Sequence, residues 1–489
     1  MLRKSIFIIL IAVLVLSFPV SNVKALPNGN WQTGLKVQNL EAGETTISVV
    51  LYAPDGNEAI SITQTITGEP LTIPGGKSVE VYLPNYSLTS GQYSAVVGST
   101  TQIGVVATLT NYTSGMADSY NAMPPATSVF VPYVYHAHNN WSTEIFIMNT
   151  DQDSDASVTV TLTNGTITKE VPLVIPVNGV QSINTTQSAY DDLGTSFIGS
   201  AEITSNTGEL LSVSANHIRL VGDGDMRGNV MVSTSGMTST ESGTYVVVPS
   251  LYKEFVGASG TWRSGIKIQN TTGVEASALV TFTADPDMPA YSGVKTVTVP
   301  ANGNVELYLA SVVLDNGAAI PNQFKGSATI EVSSAGGAAS VVASVIHTNY
   351  DAQGGYGVAM SYSGFSSGSE KVSLPSLYKW PSGAGVWVSG IKIQNVGDTA
   401  TTVDVNFYSD PDIANPSWTG QTTGIPIDPG KSVELYLSAN MLNGGGSIPN
   451  TWKGSAEITA DAGDQIVATV IHTNYGRKVS NMYLGIPMP

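Results

Sequence analysis

The chain has 489 residues, of which 42% are hydrophobic and only 12% charged, and it contains no cysteine. Its length exceeds one ordinary core and predicts three or four domains, and the lack of cysteine excludes a disulfide framework. The net charge of −17 excludes nucleic acid and anionic membrane surfaces as partners and favours cations, neutral polymers such as polysaccharide, or copies of the chain itself.

Residues 1–25 have the layout of a secretory signal peptide. Two basic residues precede an unbroken apolar run at 6–16, and the segment ends in Val-Lys-Ala. We expect cleavage after Ala25; the alternative is a retained membrane anchor, because the run extended through 17–20 could just span a bilayer. Cleavage would remove three basic residues and no acidic one, so the net charge would fall from −17 to about −20. No later segment is apolar enough to cross a membrane.

A set of phrases then returns four times in the same order, which is the pattern of an internal repeat. The first phrase begins with tryptophan, as in "WVSGIKIQN", and its four copies start at Trp31, Trp141, Trp262 and Trp387. An alternating apolar run, a "GKSVELYL"-type segment and a closing strand such as "VIHTNY" follow each copy. The spacing predicts four units, at residues 26–125, 126–243, 244–368 and 369–489.

Apolar residues within each unit recur with a period of two, which indicates β-strands. In the fourth unit Ile391 and Ile393 point one way, and Lys392 and Gln394 point the other. Seven or eight such strands in about 120 residues predict an antiparallel, immunoglobulin-like β-sandwich. The fold class is therefore all-β, with four tandem sandwich modules forming an elongated rod. The tryptophans are expected in the core, and the alternative is that they are exposed and stack on sugar rings.

The first two units depart from the common pattern. Phe146 and Met148 of the second unit replace the lysine and glutamine of the other copies, so a neighbouring unit or subunit is expected to cover them. Units two to four open with a strand such as "VFVPYVYH", whereas the first has only "LPNGN" before Trp31. The first unit is therefore predicted to lack its first strand. A partner chain could add one at the open edge, or a loop or bulge could cover it.

Histidines and aspartates are the candidates for chemistry. Three histidines align with Leu109 of the first unit and are predicted to be core residues: His217, His347 and His472. His136 and His138 form a lone H-x-H with no further metal ligands nearby. No catalytic motif for hydrolysis, nucleotide binding or metalloprotease action is present, so an enzyme is not expected.

Calcium is the better chemical candidate. Asp285 and Asp287 of the third unit and Asp410 and Asp412 of the fourth occupy the same loop, "DPD". Oxygen-rich loops on an acidic exported protein suit hard cations, and these four aspartates are the predicted calcium ligands. The alternative is a solvated turn in which Asp-Pro ends the strand.

The tandem "PSLYK…WVSGIKIQN…GKSVELYL…KGSA" pattern resembles exported bacterial cell-surface repeat proteins built of immunoglobulin-like modules, of the surface-layer or filament type. The resemblance covers nearly the whole mature chain, and it implies a structural or adhesive role with no catalytic residue. We therefore expect a secreted, non-enzymatic protein of the cell surface or matrix that joins copies of itself or other surface components, partly through sheet edges. The alternative is a carbohydrate-binding surface protein that uses four loop aromatics: Phe324, Trp380, Trp418 and Trp452.

Overall fold

The computed structural model describes residues 7–15, 30–221, 229–257, 260–350, 357–380, 386–477 and 479–488, with the backbone alone for 7–15. The cleavage site predicted at Ala25 lies outside the described residues. The four predicted units are called repeats 1 to 4 below. The described chain is all-β and forms several antiparallel sheets.

The strands follow the order of the sequence phrases. Those of repeat 1, with the segment before it, are β1 Phe7–Val15, β2 Gln32–Asn39, β3 Thr45–Tyr52, β4 Glu58–Ile62, β5 Thr72–Ile73, β6 Ser78–Tyr82, β7 Gln92–Ser99, β8 Ile103–Asn111 and β9 Met116–Asn121. Those of repeat 2 are β10 Ser128–His136, β11 Trp141–Asn149, β12 Ala156–Thr163, β13 Thr168–Ile175, β14 Val180–Asn184, β15 Phe197–Ser205, β16 Leu211–Arg219 and β17 Val230–Ser235.

The last two repeats continue the same series. Those of repeat 3 are β18 Tyr245–Lys253, β19 Phe255–Gly257, β20 Gly260–Asn270, β21 Ala276–Ala284, β22 Ser292–Val299, β23 Asn304–Tyr308, β24 Phe324–Ser333, β25 Val341–Asn349 and β26 Val358–Ser363. Those of repeat 4 are β27 Lys371–Lys379, β28 Trp387–Asn395, β29 Thr401–Ser409, β30 Thr419–Ile427, β31 Ser432–Tyr436, β32 Trp452–Ala460, β33 Ile466–Asn474, β34 Val479–Leu484 and β35 Ile486–Pro487. The described residues also form three short 3-10 helices, at Leu83–Asn85, Ser188–Leu193 and Asn443–Gly445.

Two strand orders recur in every repeat. The first sheet has the order β10-β15-β12-β13 in repeat 2, and the second sheet, which contains the tryptophan phrase, has the order β14-β11-β16-β17. Repeats 1 and 3 have the same two orders with small additions. In repeat 4 the single pair Lys379↔Val388 joins the two into one nine-stranded sheet. The period-two reading of the sequence is confirmed, since burial alternates residue by residue along β12 and β29.

The tryptophan-phrase strands, however, are buried on both faces. Ile391 and Ile393 lie in the core as predicted, but Lys392 and Gln394 on the opposite face are only 3% and 1% exposed. The reason is that the first sheet of the preceding repeat packs on this face. β27 packs on β2 and β8, β18 on β28 and β33, and β10 on β20 and β25. We call each of these contacts a joint and name it by its two repeats.

The joints close the chain into a ring. The first strand of repeat 4 packs on repeat 1, so the last repeat meets the first in the same way that every other repeat meets its successor. On the inner side, β9 packs against β17 and β34, and β26 packs against the same two strands. The expected elongated rod is therefore wrong. In a rod the outer faces of the first and last repeats would be free, whereas here repeat 4 packs on repeat 1.

The first strand of repeat 1 is formed by residues 7–15, within the predicted signal peptide. β1 pairs with β7 as β10 pairs with β15, and both pairs carry a β-bulge at the same point, between Ile11 and Leu14 in β1 and between Val131 and Val134 in β10. Residues 30–125 themselves contribute no strand before β2. In this structure the N-terminal segment 7–15 takes the place that the first strand has in the other repeats.

Candidate functional site

The joint between repeats 3 and 4 is built around the predicted calcium aspartate Asp285. The Lys392 ammonium of repeat 4 donates to both carboxylate oxygens of Asp285, at 2.8 and 2.6 Å, and Ser432 donates to one of them at 2.8 Å. At its rim, Lys325 of repeat 3 donates to Asp287 at 2.6 Å and to Glu434 of repeat 4 at 2.9 Å. A central and a peripheral ion pair therefore join the two repeats.

The joint between repeats 4 and 1 repeats this arrangement. Lys36 of repeat 1 forms an ion pair with Asp410 of repeat 4, and Ser78 donates to Asp410 at 2.8 Å. Lys453 donates to Glu80 of repeat 1 at 3.0 Å and to Asp412 at 2.7 Å. Each of these residues of joint 4/1 has an equivalent in joint 3/4. Repeats 4 and 1, whose contact closes the ring, are therefore joined by the same pattern of ion pairs as repeats 3 and 4.

The charges at these joints stabilise one another. Burial lowers the pKa of Lys453, but the surrounding carboxylates, Glu80 first, outweigh it and raise the pKa above its ordinary value. Burial likewise raises the pKa of Glu434, and the ammonium groups of Lys392 and Lys325 reverse this to a net lowering. The ionised forms of Lys453 and Glu434 at the rims are therefore favoured. At the centre of joint 4/1, burial raises the pKa of Asp410, and the ammonium groups of Lys36 and Lys453 oppose that rise.

The structure gives the four predicted calcium ligands lysine partners instead. Asp285 and Asp410 are 5% and 0% exposed, so they are not residues of a solvated turn, and a lysine ammonium contacts each of them. Asp287 and Asp412 pair with Lys325 and with the equivalent lysine of repeat 4. Within the described residues, no group of three or more acidic or histidine side chains is placed to hold a metal ion.

Joint 2/3 keeps only half of this set. Lys267 of repeat 3 stands at the position of Lys392, but Gly165 of repeat 2 stands where the aspartate would be. Burial lowers the pKa of Lys267 to about 8, against the Glu306 carboxylate, which raises it. Neutral hydrogen bonds supplement the contact: Asn304 donates to the carbonyl oxygen of Thr163 at 2.9 Å and to Ser200 at 2.7 Å.

Joint 1/2 is apolar at the position where each of the other three joints has a buried lysine. Phe146 and Met148 occupy the positions of the lysine and glutamine, and they are 1% and 0% exposed, as the sequence predicted. Their strand β11 and its neighbour β16 pack against β1. Burial raises the pKa of the nearby Glu144 to about 7, so fixed charge is scarce here. A backbone hydrogen bond from Val180 N–H to the Pro54 oxygen, 3.1 Å, adds to the contact.

At the centre of the ring lies one buried carboxylate, Asp118. It accepts hydrogen bonds from the backbone N–H groups of Ser233 at 2.6 Å and Met482 at 3.3 Å, from the Ser361 hydroxyl at 3.2 Å, and from the Ser119 N–H at 2.8 Å. These donors come from four different repeats. Burial raises the pKa of Asp118 well above its ordinary value, and the four donors oppose that rise. Asp118 therefore connects all four repeats through one side chain.

The three repeated histidines are core residues, as predicted. His217, His347 and His472 are at most 1% exposed, and burial lowers the pKa of each to about 3. Ser264 accepts a hydrogen bond from the Tyr252 N–H and contacts His347 Nδ1 at 2.8 Å, so its own O–H can donate to the ring. The Nε2 atom of His347 has no hydrogen-bond partner among the described residues. This environment suits a neutral imidazole.

The repeated tryptophans are buried, and those of repeats 2 and 4 also bridge joints. The four rings are between 2% and 8% exposed, which confirms the core prediction. Trp141 donates through Nε1 to Tyr350 of repeat 3 at 3.2 Å, and Trp387 donates to Tyr112 of repeat 1 at 3.4 Å. Sugar stacking on these four rings is therefore excluded by their burial.

The aromatics of the carbohydrate-binding alternative are not displayed together. Trp452 and Phe324 are 1% and 3% exposed, and Trp418 packs on Trp452 with ring centroids 5.8 Å apart. Trp380 remains exposed, at 36%. These four rings therefore do not form an exposed row on which a polysaccharide could stack.

Two functional features were missed by sequence reasoning: the joint lysines and Asp118. The available signal was a lysine at the same position of an otherwise apolar strand in three repeats: Lys36, Lys267 and Lys392. Repeats 3 and 4 also share an aspartate in one loop. Together these patterns indicate lysine–aspartate ion pairs, but they do not show which repeats the pairs join. Asp118 is present in one repeat only and gave no repeated signal.

No helix among the described residues has both the length and the apolar character needed to cross a membrane.

No family model and no curated protein matches this chain. It is similar to a solved structure of Thermotoga maritima 1070, with 20% identity and a TM-score of 0.20 over 24% of this chain and 95% of that one. The Anabaena sensory rhodopsin transducer shares 20% identity, with a TM-score of 0.16 over 21% of this chain and 94% of that one.

A third solved structure spans most of the chain. It is a tetra-tandem repeat in the extending region of a large adhesion protein, with 12% identity and a TM-score of 0.12 over 93% of this chain and 94% of that one. TM-scores at this level support no argument about function.

Proposed function

We propose that each repeat is one immunoglobulin-like β-sandwich module and that the chain is a secreted, non-enzymatic structural or adhesive element of the cell surface or extracellular matrix. The observation that carries the proposal is the pair of matched ionic joints, around Asp285 and Asp410, which fix the relative positions of whole repeats. A body of fixed shape is what a surface element must supply. The same buried groups are engaged with one another and leave little for substrate chemistry.

Three of the four outer edges of the first sheets are unsuited to pairing with a strand of another molecule. The last strands β13 and β30 carry Pro172 and Pro426, and β22 carries Lys295. Proline and lysine on an edge strand discourage pairing with further strands. Any association through sheet edges is therefore expected at an edge other than β13, β22 or β30.

Immunogold electron microscopy of the native cells tests this function. We expect label on the cell surface or in the matrix, and N-terminal sequencing of the extracted protein should begin at Leu26. A protein confined to the cell interior would overturn the proposal. Deletion of the gene should alter surface layers, adhesion or cell aggregation, and unchanged surface structure and adhesion would count equally against it.

A further inference from the structure

The place of β1 in the ring raises a question about the exported protein. β1 is the first strand of repeat 1 and the strand that packs on repeat 2, so it completes one sheet and one joint at once. It also lies inside the segment whose removal is predicted on export. If residues 1–25 are cleaved, the edge of β7 loses its partner and joint 1/2 loses the strand that covers it.

We propose that this position is a strand-acceptor site, which in the exported chain binds an extended apolar strand donated by a separate polypeptide. The inference rests on the proposed function, since it requires export and signal removal. The acceptor site consists of the free edge of β7 and the face of β11 that carries Phe146 and Met148. The donor would run antiparallel to β7, as β1 does.

The backbone of the site specifies a strand rather than a loop. β1 pairs with seven residues of β7, from Phe7↔Ser99 to Val15↔Gln92, with the bulge that β10, β18 and β27 also have in their own repeats. Unpaired N–H and C=O groups along such an edge are costly when buried and recruit another strand. The other three repeats supply this strand from their own sequence.

The side chains around the site specify an apolar donor. In repeat 2 the strand positions equivalent to Ile9 and Ile11 are Val129 and Val131, which are 2% and 1% exposed in the core. On the opposite side, joint 1/2 offers Phe146 where the other joints have a lysine. A donor for this site must therefore be apolar at positions that face the core and also where it meets repeat 2, unlike the first strands of the other repeats, whose joints present a charged residue.

The described residues after position 30 hold no second candidate for the donor. The described strands of residues 30–488 are all placed in the eight sheet positions of their own repeats or, like β35, pair at another edge. Three of the four outer edges of the first sheets, β13, β22 and β30, carry proline or lysine. The β7 edge is the one that pairs with an N-terminal strand in this structure. These observations favour a different polypeptide over a second copy of the mature chain.

The test uses the mature chain, residues 26–489, and a synthetic peptide of residues 5–17 with solubilising lysines at its end as the probe. We expect saturable binding of the peptide, slowed hydrogen exchange at β7 on binding, and no binding of a scrambled peptide. Phe146→Lys should weaken binding at least about tenfold, since it places a charge against an apolar strand. The matched control Val174→Lys, at an exposed site on the same repeat, should not change it.

Three outcomes would overturn the proposal. The first is a monomeric mature chain whose β7 amides are already protected without peptide, because a loop then covers the edge. The second is a mature chain that dimerises through β7, because a second copy is then the occupant. The third is equal affinity of the Phe146→Lys and Val174→Lys variants. Export is tested separately: native protein that still begins at residue 1 would refute signal removal without bearing on peptide binding.

If the mature chain does not fold alone, the full chain answers the same question. A specific protease sequence placed within residues 18–25 allows cleavage after folding, and labelled peptide is then added. Exchange of labelled peptide into the nicked protein supports the site. Retention of β1 with no exchange, or entry of the scrambled peptide at the same rate, would contradict it.

Discussion

Replacing the three core histidines by leucine is expected to protect the protein against acid. Burial lowers the pKa of His217, His347 and His472 to about 3, from an ordinary value of 6.5. A group whose pKa is lower in the folded state destabilises that state as the pH falls from the unfolded value towards the folded one. The stability that these neutral rings contribute is therefore complete above about pH 6.5 and is lost progressively between pH 6.5 and pH 3.

The size of the effect follows from the shift. One pKa unit corresponds to about 1.4 kcal/mol, so each histidine should cost about 2.7 kcal/mol at pH 4.5, and the three together about 8 kcal/mol. That is comparable to the whole stability of a typical domain. Leucine fits the site, because Leu109 occupies it in repeat 1 with 1% exposure. The loss of the hydroxyl hydrogen bond, from Thr143, Ser264 or Ser389, should cost only about 1 kcal/mol per site at pH 7.

Urea unfolding followed by tryptophan fluorescence at pH 7 and pH 4.5 measures this difference. The wild-type protein should lose several kcal/mol more than the triple leucine variant between the two pH values. Leu109→His is the reciprocal control: Thr33 stands where Ser264 does, so the new histidine should add about 2.7 kcal/mol of acid sensitivity. An equal loss of stability with pH in wild type and triple variant would refute the reasoning.

Further predictions concern the ring. Asp118→Ala should destabilise the protein by about 3 kcal/mol or more, because four hydrogen-bond donors lose their acceptor. An unfolding temperature within about 1 °C of the wild type would show that the contacts at the centre of the ring do not depend on Asp118. Asp410→Leu alone should lower the free energy of unfolding by about 3–5 kcal/mol, because it leaves Lys36 buried and unpaired. The double variant Asp410→Leu, Lys36→Met should lose less. A loss in the double variant equal to the sum of the two single losses would argue against direct pairing. Millimolar calcium should leave the unfolding temperature unchanged, since lysines already contact the joint aspartates, and a rise of several degrees would support the predicted calcium sites.

The sequence predicted those features that depend on one repeat. Alternation along a strand reports which residues share a face, so the strands, the buried tryptophans and the core histidines followed from it. It does not report what covers the other face. The alternation placed Lys392 and Gln394 on the face opposite Ile391 and Ile393, and it did not predict that the preceding repeat buries them.

The arrangement of the repeats could not be predicted in the same way. Four similar units in tandem are compatible with a rod or with a ring, because the choice depends on the rotation at each joint, and that rotation is set by contacts between residues hundreds of positions apart. Lys36 and Asp410 are one such pair. The aspartates were recognised as unusual, but their charge partner lay in another repeat, and a divalent cation was the local explanation. The N-terminal run was interpreted as an export signal or a membrane anchor, and only its pairing with β7 revealed a strand.

The most direct test of the closed ring is the distance between repeats 1 and 4 in solution. The chain has no cysteine, so Lys77→Cys and Ser417→Cys can carry two spin labels without further changes. Lys77 donates to the carbonyl oxygen of Pro416 at 2.6 Å in the structure. Electron double resonance should therefore give a separation below about 25 Å, whereas a rod of three further domain lengths would place the labels about 100 Å apart and contradict the account.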